Sequence, residues 1–198
     1  MPDAPVVARI DLLASVLART ADVVAGVRPE QLDRPTPCEA YDVRGLLQHL
    51  IGWQQVMAAA LADAPLPFAD GSPTYVASAD LEGDLRAGSA SLLAALRSYG
   101  PDEVVLPYRG VTPVDVMLLE QIAEAALHTW DLARGLGRPF DLAADELAAA
   151  HEGLDLMLQE SFAAAGFKDA PSMVPGDGGL ARLLARSGRN PAWHPPTE

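Results

Sequence analysis

The chain has 198 residues, is 49% hydrophobic and only 6% aromatic, and draws most of its hydrophobic content from Ala and Leu, which favour helices over strands. Its net charge of −13, from 27 acidic and 14 basic residues, repels nucleic-acid backbones and anionic membrane surfaces. The run Val56–Ala62 is too short to span a bilayer, the N-terminus lacks a signal-peptide pattern, and a lone cysteine, Cys38, cannot form an internal disulfide, so one soluble cytoplasmic domain over residues 1–198 is predicted.

Helical spacing of Ile10, Leu13, Val16 and Leu17 predicts a first helix over about Val6–Val24, with Gly26 and Pro29 as stop signals. A proline-bearing connector, LDRPTPCEAYD, leads to Asp42, a good N-cap for a second helix reaching about Ala62. Gly52 inside that helix costs about 1 kcal/mol against Ala, and close helix packing is the expected compensation. A loop rich in Pro, Gly and Asp follows. The third helix runs from Ser78 or Asp80 to about Tyr99. VVLPY then reads as a short extended piece, and Pro107 argues against a central strand. Thr112-Pro113 reads as a helix start, with Thr112 as cap and Asp115 completing a capping box. That fourth helix reaches about Gly135. A fifth spans Asp145 to Phe162 or Gly166, and a short one covers about Gly179–Arg186. The elements predict an all-α fold, an antiparallel four-helix bundle with an additional helix and a short C-terminal helix.

One constellation carries chemistry. EAALHTWDLARG in the fourth helix places Glu124 and His128 four residues apart, on one face. His49 stands among apolar residues of the second helix. Bundles build metal sites from facing helices, and two imidazoles with one carboxylate suit Zn(II), with Ni(II) or Fe(II) also possible. Three protein ligands leave a coordination position open, as catalytic sites do. The spacing is equally compatible with a metal-free core in which His49 bonds a helix-four carboxylate. Asp131 shares the Glu124–His128 face and can accept a hydrogen bond from a ligating histidine, or pair with Arg134 or Arg44. Trp53 can wall a pocket or fill core. Trp130 lies off the ligand face and reads as core.

Cys38 precedes the second helix, where a thiol can be acidified. At 1.5 Å per residue it stands roughly 16 Å from His49, so a structural role is expected rather than a ligand role. His151 and His194 have no companions at ligand spacing, and His194 in its Pro-rich tail is expected to be exposed.

TPCEAYDVRGLLQHLIGW, EAALHTWDLARGLGRP and RLLARSGRNPAW together resemble actinobacterial metal-binding proteins of the DinB-like superfamily, related to the N-terminal domain of mycothiol-dependent maleylpyruvate isomerase. The resemblance covers nearly the whole chain. It implies a DinB-like four-helix bundle with metal ligands at His49, Glu124 and His128, and a mycothiol-like thiol as cofactor. In such enzymes the metal binds the thiol as its thiolate, which attacks a small electrophilic substrate. The expected function is therefore a metal-dependent thiol transferase or isomerase. The chain ends soon after the bundle, where the full isomerase has a further domain, which points away from isomerase activity itself. Arg44, Arg109 and Arg134 are candidates for holding a substrate carboxylate. Two alternatives stand: a non-catalytic metal or small-ligand binding protein, with a closed pocket, and a metal-free interaction protein, with a filled core. Monomer and homodimer are both compatible with the composition.

Overall fold

The computed structural model describes residues 4–159 and 179–195, and six α-helices lie among them. In chain order these are α1 (Ala4–Val24), α2 (Val43–Leu61), α3 (Leu81–Ser98), α4 (Val114–Leu136), α5 (Ala144–Gln159) and α6 (Leu180–Arg186). Helices α1 and α2 each pack against both α3 and α4, which closes the four-helix bundle. The additional helix α5 lies on α1 and α4, and α6 lies on α5. The expected end of α5 at Phe162 or Gly166 falls outside the described residues. No described helix is long and apolar enough to cross a membrane.

The core follows from the apolar stripes. Ile10, Leu13, Val16 and Leu17 of α1 meet Met117, Leu118, Ile122 and Ala126 of α4 in one buried cluster. A second cluster joins Val43, Leu46, Leu47 and Ile51 of α2 to Leu85 of α3 and Leu132 of α4. Helix α4 is apolar nearly all round and forms the central rod, as expected of a helix covered by neighbours on several sides. Its end is set by Gly137, whose φ of 70° places it in the left-handed region that a glycine C-cap supplies.

Asp42 caps α2, its carboxylate accepting the Gly45 N–H at 2.7 Å. Asp80 caps α3 in the same way at Gly83. Two small antiparallel hairpins interrupt the helices. The first pairs β1 (Phe68–Ala69) with β2 (Ser72–Pro73), and the second pairs β3 (Glu103–Leu106) with β4 (Gly110–Pro113). VVLPY is thus extended up to Leu106, and Pro107 sits in the turn rather than in the ladder.

The predicted start of α4 needs correction. Thr112 belongs to β4, paired with Val104, and its hydroxyl donates to the Gly110 carbonyl at 3.2 Å. Pro113 occupies the N-cap position without a side-chain cap, the Asp102 carbonyl accepts the Val114 N–H at 2.8 Å, and Asp115 pairs with Arg9 instead of closing a capping box. The strand pairing takes Thr112 away from the helix end.

Gly52 is also explained differently. A Cβ there would stand 2.7 Å from Cβ of Pro73, so the missing side chain admits the first hairpin rather than another helix. That hairpin brings Pro73 and Tyr75 onto α2 one turn after His49.

Candidate metal centre

Helices α2 and α4 face each other where His49 meets Glu124 and His128. The two imidazole rings are 5.1 Å apart, edge to face. Oε2 of Glu124 lies 3.0 Å from Nε2 of His128 and 4.0 Å from Nε2 of His49. One donor atom from each residue falls within 4.8 Å of the other two. Glu124 Oε2 is buried, yet among the described residues it has no hydrogen-bond partner. A buried carboxylate oxygen without a partner is costly. Two imidazoles and a carboxylate converging on that oxygen are the donor types that hold Zn(II), so the residues present fit a divalent metal.

Both histidines are braced from behind. Nδ1 of His128 lies 3.1 Å from Oδ2 of Asp131. A carboxylate can only accept there, so Nδ1 carries a proton and Nε2 is the ring nitrogen turned to Glu124. Tyr41 Oη lies 3.2 Å from Nδ1 of His49 and braces the second ring. Burial, with the neighbouring His128, pushes the His49 pKa down to about 4, so its imidazole is neutral at neutral pH. Burial also disfavours the charged His128, but Asp131 and Glu124 outweigh it and raise that pKa above the ordinary value. Burial opposes the Glu124 charge as well, and the two histidines still hold its pKa low.

Asp131 is fully buried, and it is paired with neither Arg134 nor Arg44. Its partner is Arg189, with Nη2 at 2.7 Å and Nε at 3.0 Å from Oδ2. Arg44 instead meets Asp33, Arg109 meets Glu120 at 2.5 Å, and Arg134 donates to the Pro191 carbonyl and lies over Trp130. Trp130 is buried, as expected. His151 meets Arg186, and His194 is exposed.

Cys38 lies nearer the centre than a rise along a helix suggests. Residues 38–41 are not helical; the Cys38 carbonyl accepts the Tyr41 N–H in a turn, and the sulfur falls within 4.8 Å of donor atoms of His128 and Asp131. Burial first, then Asp131, raises the thiol pKa, the opposite of an activated nucleophile. Asp131 is already committed to Arg189 and His128, so this second grouping reads as a hydrogen-bonded bracket.

His49 and Glu124 border a cavity of about 420 Å³, and His128 lies buried behind them. Leu13, Leu17, Met57 and Met157 line its apolar part, and Tyr41, Trp53 and Tyr108 its aromatic wall. Trp53 meets Tyr108 edge to face at 5.2 Å, so it walls the pocket. Sequence reasoning singled out neither Tyr41 nor Arg189. Both stand in the quoted motifs, but only the fold shows what they touch.

Residues 13–133 match the family model for the mycothiol maleylpyruvate isomerase N-terminal domain, more than half of the chain. The chain belongs to this family. Uncharacterized proteins from two strains of Mycobacterium tuberculosis are 29% identical to it over 137 residues, covering 66% of this chain and 70% of theirs. A crystal structure of a histidine-to-alanine mutant of mycothiol-dependent maleylpyruvate isomerase aligns with a TM-score of 0.56 at 15% identity, covering 86% of this chain and 75% of that one. A second structure of mycothiol-dependent maleylpyruvate isomerase aligns with a TM-score of 0.50 at 17% identity, covering 78% and 68%. At such identities the likeness shows the fold, the DinB-like bundle that this family shares. The family match spans His49, Glu124, His128 and Asp131 but ends before Arg189.

Proposed function

We propose that this member of the family is a metal-dependent enzyme that uses a low-molecular-weight thiol, mycothiol or a close analogue, to act as a transferase or isomerase on a small electrophile. The observation that carries the proposal is the convergence of His49, Glu124 and His128 beside a cavity of about 420 Å³, with His49 and Glu124 on its wall. A divalent metal there, Zn(II) by donor type, supplies a positive charge that favours the thiolate over the thiol.

The chain's own residues do the rest. His49 and His128 would each offer a metal one ring nitrogen, His128 giving up its Nε2 proton to do so, and Glu124 would contribute a single negative charge, which leaves net positive charge for an anionic sulfur. The apolar and aromatic walls hold a small substrate and exclude water. A thiol bound in this cavity would supply, as its thiolate, the nucleophile for an electrophilic carbon, with a leaving group taking the bonding electrons in a transferase and the thiol itself released again in an isomerase.

Two features weigh against a metal-free interaction protein. His49 and Glu124 stand 4.0 Å apart, too far for a direct hydrogen bond, Asp131 meets His128 and Arg189 rather than His49, and the bundle interior holds a cavity beside His49 and Glu124. The same cavity favours an enzyme over a closed metal-storage site.

The deciding experiment is metal analysis of purified protein beside His49→Ala, followed by a mycothiol-transfer assay over a panel of electrophiles. Metal in the wild type and its loss from the variant support the site, and equal metal in both rejects it. Turnover that needs both metal and thiol supports the activity. A metal-loaded protein that turns over nothing across a broad panel shifts the reading to metal or ligand binding.

A further inference from the structure

We propose that Arg189, from the segment after α6, is a positioning residue for the metal centre, acting through Asp131 on the orientation of His128. The proposal rests on reading His128 as a metal ligand.

Three observations carry it. First, the contact is many-stranded: Nε of Arg189 lies 3.0 Å from each Asp131 oxygen, and Nη2 lies 2.7 Å from Oδ2. A guanidinium fork gripping a carboxylate fixes the plane of that carboxylate as well as its place. Second, the chain Arg189–Asp131–His128 is buried throughout, with Arg189 5%, Asp131 0% and His128 1% exposed. No solvent is at hand to replace a lost member. Third, Oδ2, the oxygen that takes the closest Arg189 contact, is the one that meets Nδ1 of His128 at 3.1 Å. Holding Oδ2 in place holds Nδ1 against it, and so keeps Nε2 on the side of Glu124 and His49.

Removing Arg189 leaves a buried carboxylate without its cation. Such a group is no longer held in one plane and turns away. That change withdraws the acceptor that fixes the His128 ring. The main chain makes this dependence long-range. Residues 180–189 are far from α4 in sequence, but the turn after α6 is drawn in, with the Leu184 carbonyl accepting the Arg189 N–H at 2.9 Å. The C-terminal segment is on this view part of the metal centre, although the family match stops at residue 133.

The test compares wild type with Arg189→Met, Arg189→Lys, Asp131→Asn and the double variant Asp131→Asn/Arg189→Met, all as full chains. Zn(II) affinity is read by competition with a chromophoric chelator. Loss of a group that orients a ligand typically weakens metal binding by about 10- to 100-fold, and that loss is expected for Arg189→Met. In the Asp131→Asn background the same change should cost little more, because both residues act along one route. Arg186→Ala serves as control: it removes the surface pair that joins α6 to Asp155 of α5 and should leave affinity unchanged.

A folded Arg189→Met protein that binds Zn(II) within about twofold of wild type overturns the proposal, as do additive losses in the double variant. Equal loss in Arg186→Ala also overturns it, since α6 docking alone would then be responsible. If Arg189→Met does not fold, Arg189→Lys decides: it keeps the charge but not the fork, and wild-type affinity there rejects the idea. A metal-free readout separates this inference from the functional reading. Imidazole nitrogen spectra of the chelated protein should show the His128 Nδ1–H bonded to Asp131 in wild type and the loss of that hydrogen bond in the Arg189 variant. If the wild type binds no Zn(II), the metal reading falls and this hydrogen bond alone judges the positioning role, an unchanged bond rejecting it.

Discussion

Glu124 Oε2 and His128 Nε2 stand 3.0 Å apart on consecutive turns of α4 without the alignment of a hydrogen bond. Both lie within 4.8 Å of a ring nitrogen of His49. In a metal-free protein this buried carboxylate oxygen has only its approaches to the two imidazoles, and a cation there would give it a full partner. A ligand that binds only the folded state raises stability by mass action. Zn(II) at about 100 times its dissociation constant is therefore expected to stabilise the wild type by about 2.7 kcal/mol, read as a rise in Tm that a chelator reverses. Glu124→Gln keeps the shape and removes the charged donor. Its own Tm without metal should lie close to wild type, and the Zn(II) increment should largely vanish. A variant with an undiminished increment rejects Glu124 as a ligand.

Tyr41 braces the other imidazole, its hydroxyl 3.2 Å from Nδ1 of His49. Burial raises the Tyr41 pKa, so the phenol stays neutral and the contact stays a hydrogen bond. Tyr41→Phe removes the oxygen and keeps the ring that lines the cavity. Zn(II) affinity is expected to fall by about tenfold, with unfolding by denaturant changed by about 1 kcal/mol or less. Unchanged affinity would falsify a role for this hydroxyl in holding His49.

Gly52→Ala sets two effects against each other. The substitution gains about 1 kcal/mol of helix propensity. The new Cβ, however, would lie 2.7 Å from Pro73 Cβ, inside any normal contact distance. Pro73 is stiff and sits in a short hairpin, so the hairpin must move as a unit. Overpacking of this kind typically costs about 1–3 kcal/mol, and a net loss of stability is expected despite the propensity gain. Hydrogen exchange should speed up at Thr74, whose N–H bonds the Pro67 carbonyl at 2.9 Å, and not in α1. Increased stability with an undisturbed hairpin is the contrary outcome.

The helices and the Glu124–His128 pair were readable from the sequence for a shared reason: both depend on local spacing. Asp42 and Asp80 announce their helices, and Glu124 and His128 share a face because they are four residues apart. What escaped was set by contacts distant in sequence. Thr112 looks like a helix cap until Val104 pairs with it. Gly52 looks like a helix–helix contact until Pro73 is seen against it. Arg189 is 58 residues from Asp131, and nothing in spacing links them. Cys38 was misplaced because a helical rise was applied to a turn.

Glu146 provides a pH test remote from the metal centre. Its carboxylate is 1% exposed, accepts from Ser15 at 2.5 Å and from the Ala143 N–H at 2.6 Å, and pairs with Arg19 at 2.9 Å. The Ala143 contact satisfies a free N–H at the start of α5, as a glutamate in the first helical turn often does. Burial opposes the charge, but Ser15, Ala143 and Arg19 outweigh it and hold the pKa below the ordinary value. The folded state therefore binds the proton less readily than the unfolded state. The resulting stability is fully present above the unfolded carboxylate pKa, near 4.5, and is lost as pH falls through the lower folded value. Glu146→Gln is expected to cost about 1–3 kcal/mol at neutral pH, measured by denaturant unfolding. The gap between wild type and variant should hold steady down to about pH 5 and close as the solution is acidified further. A gap that stays constant to the acid end would show that packing of the side chain, rather than its charge, ties α5 to α1.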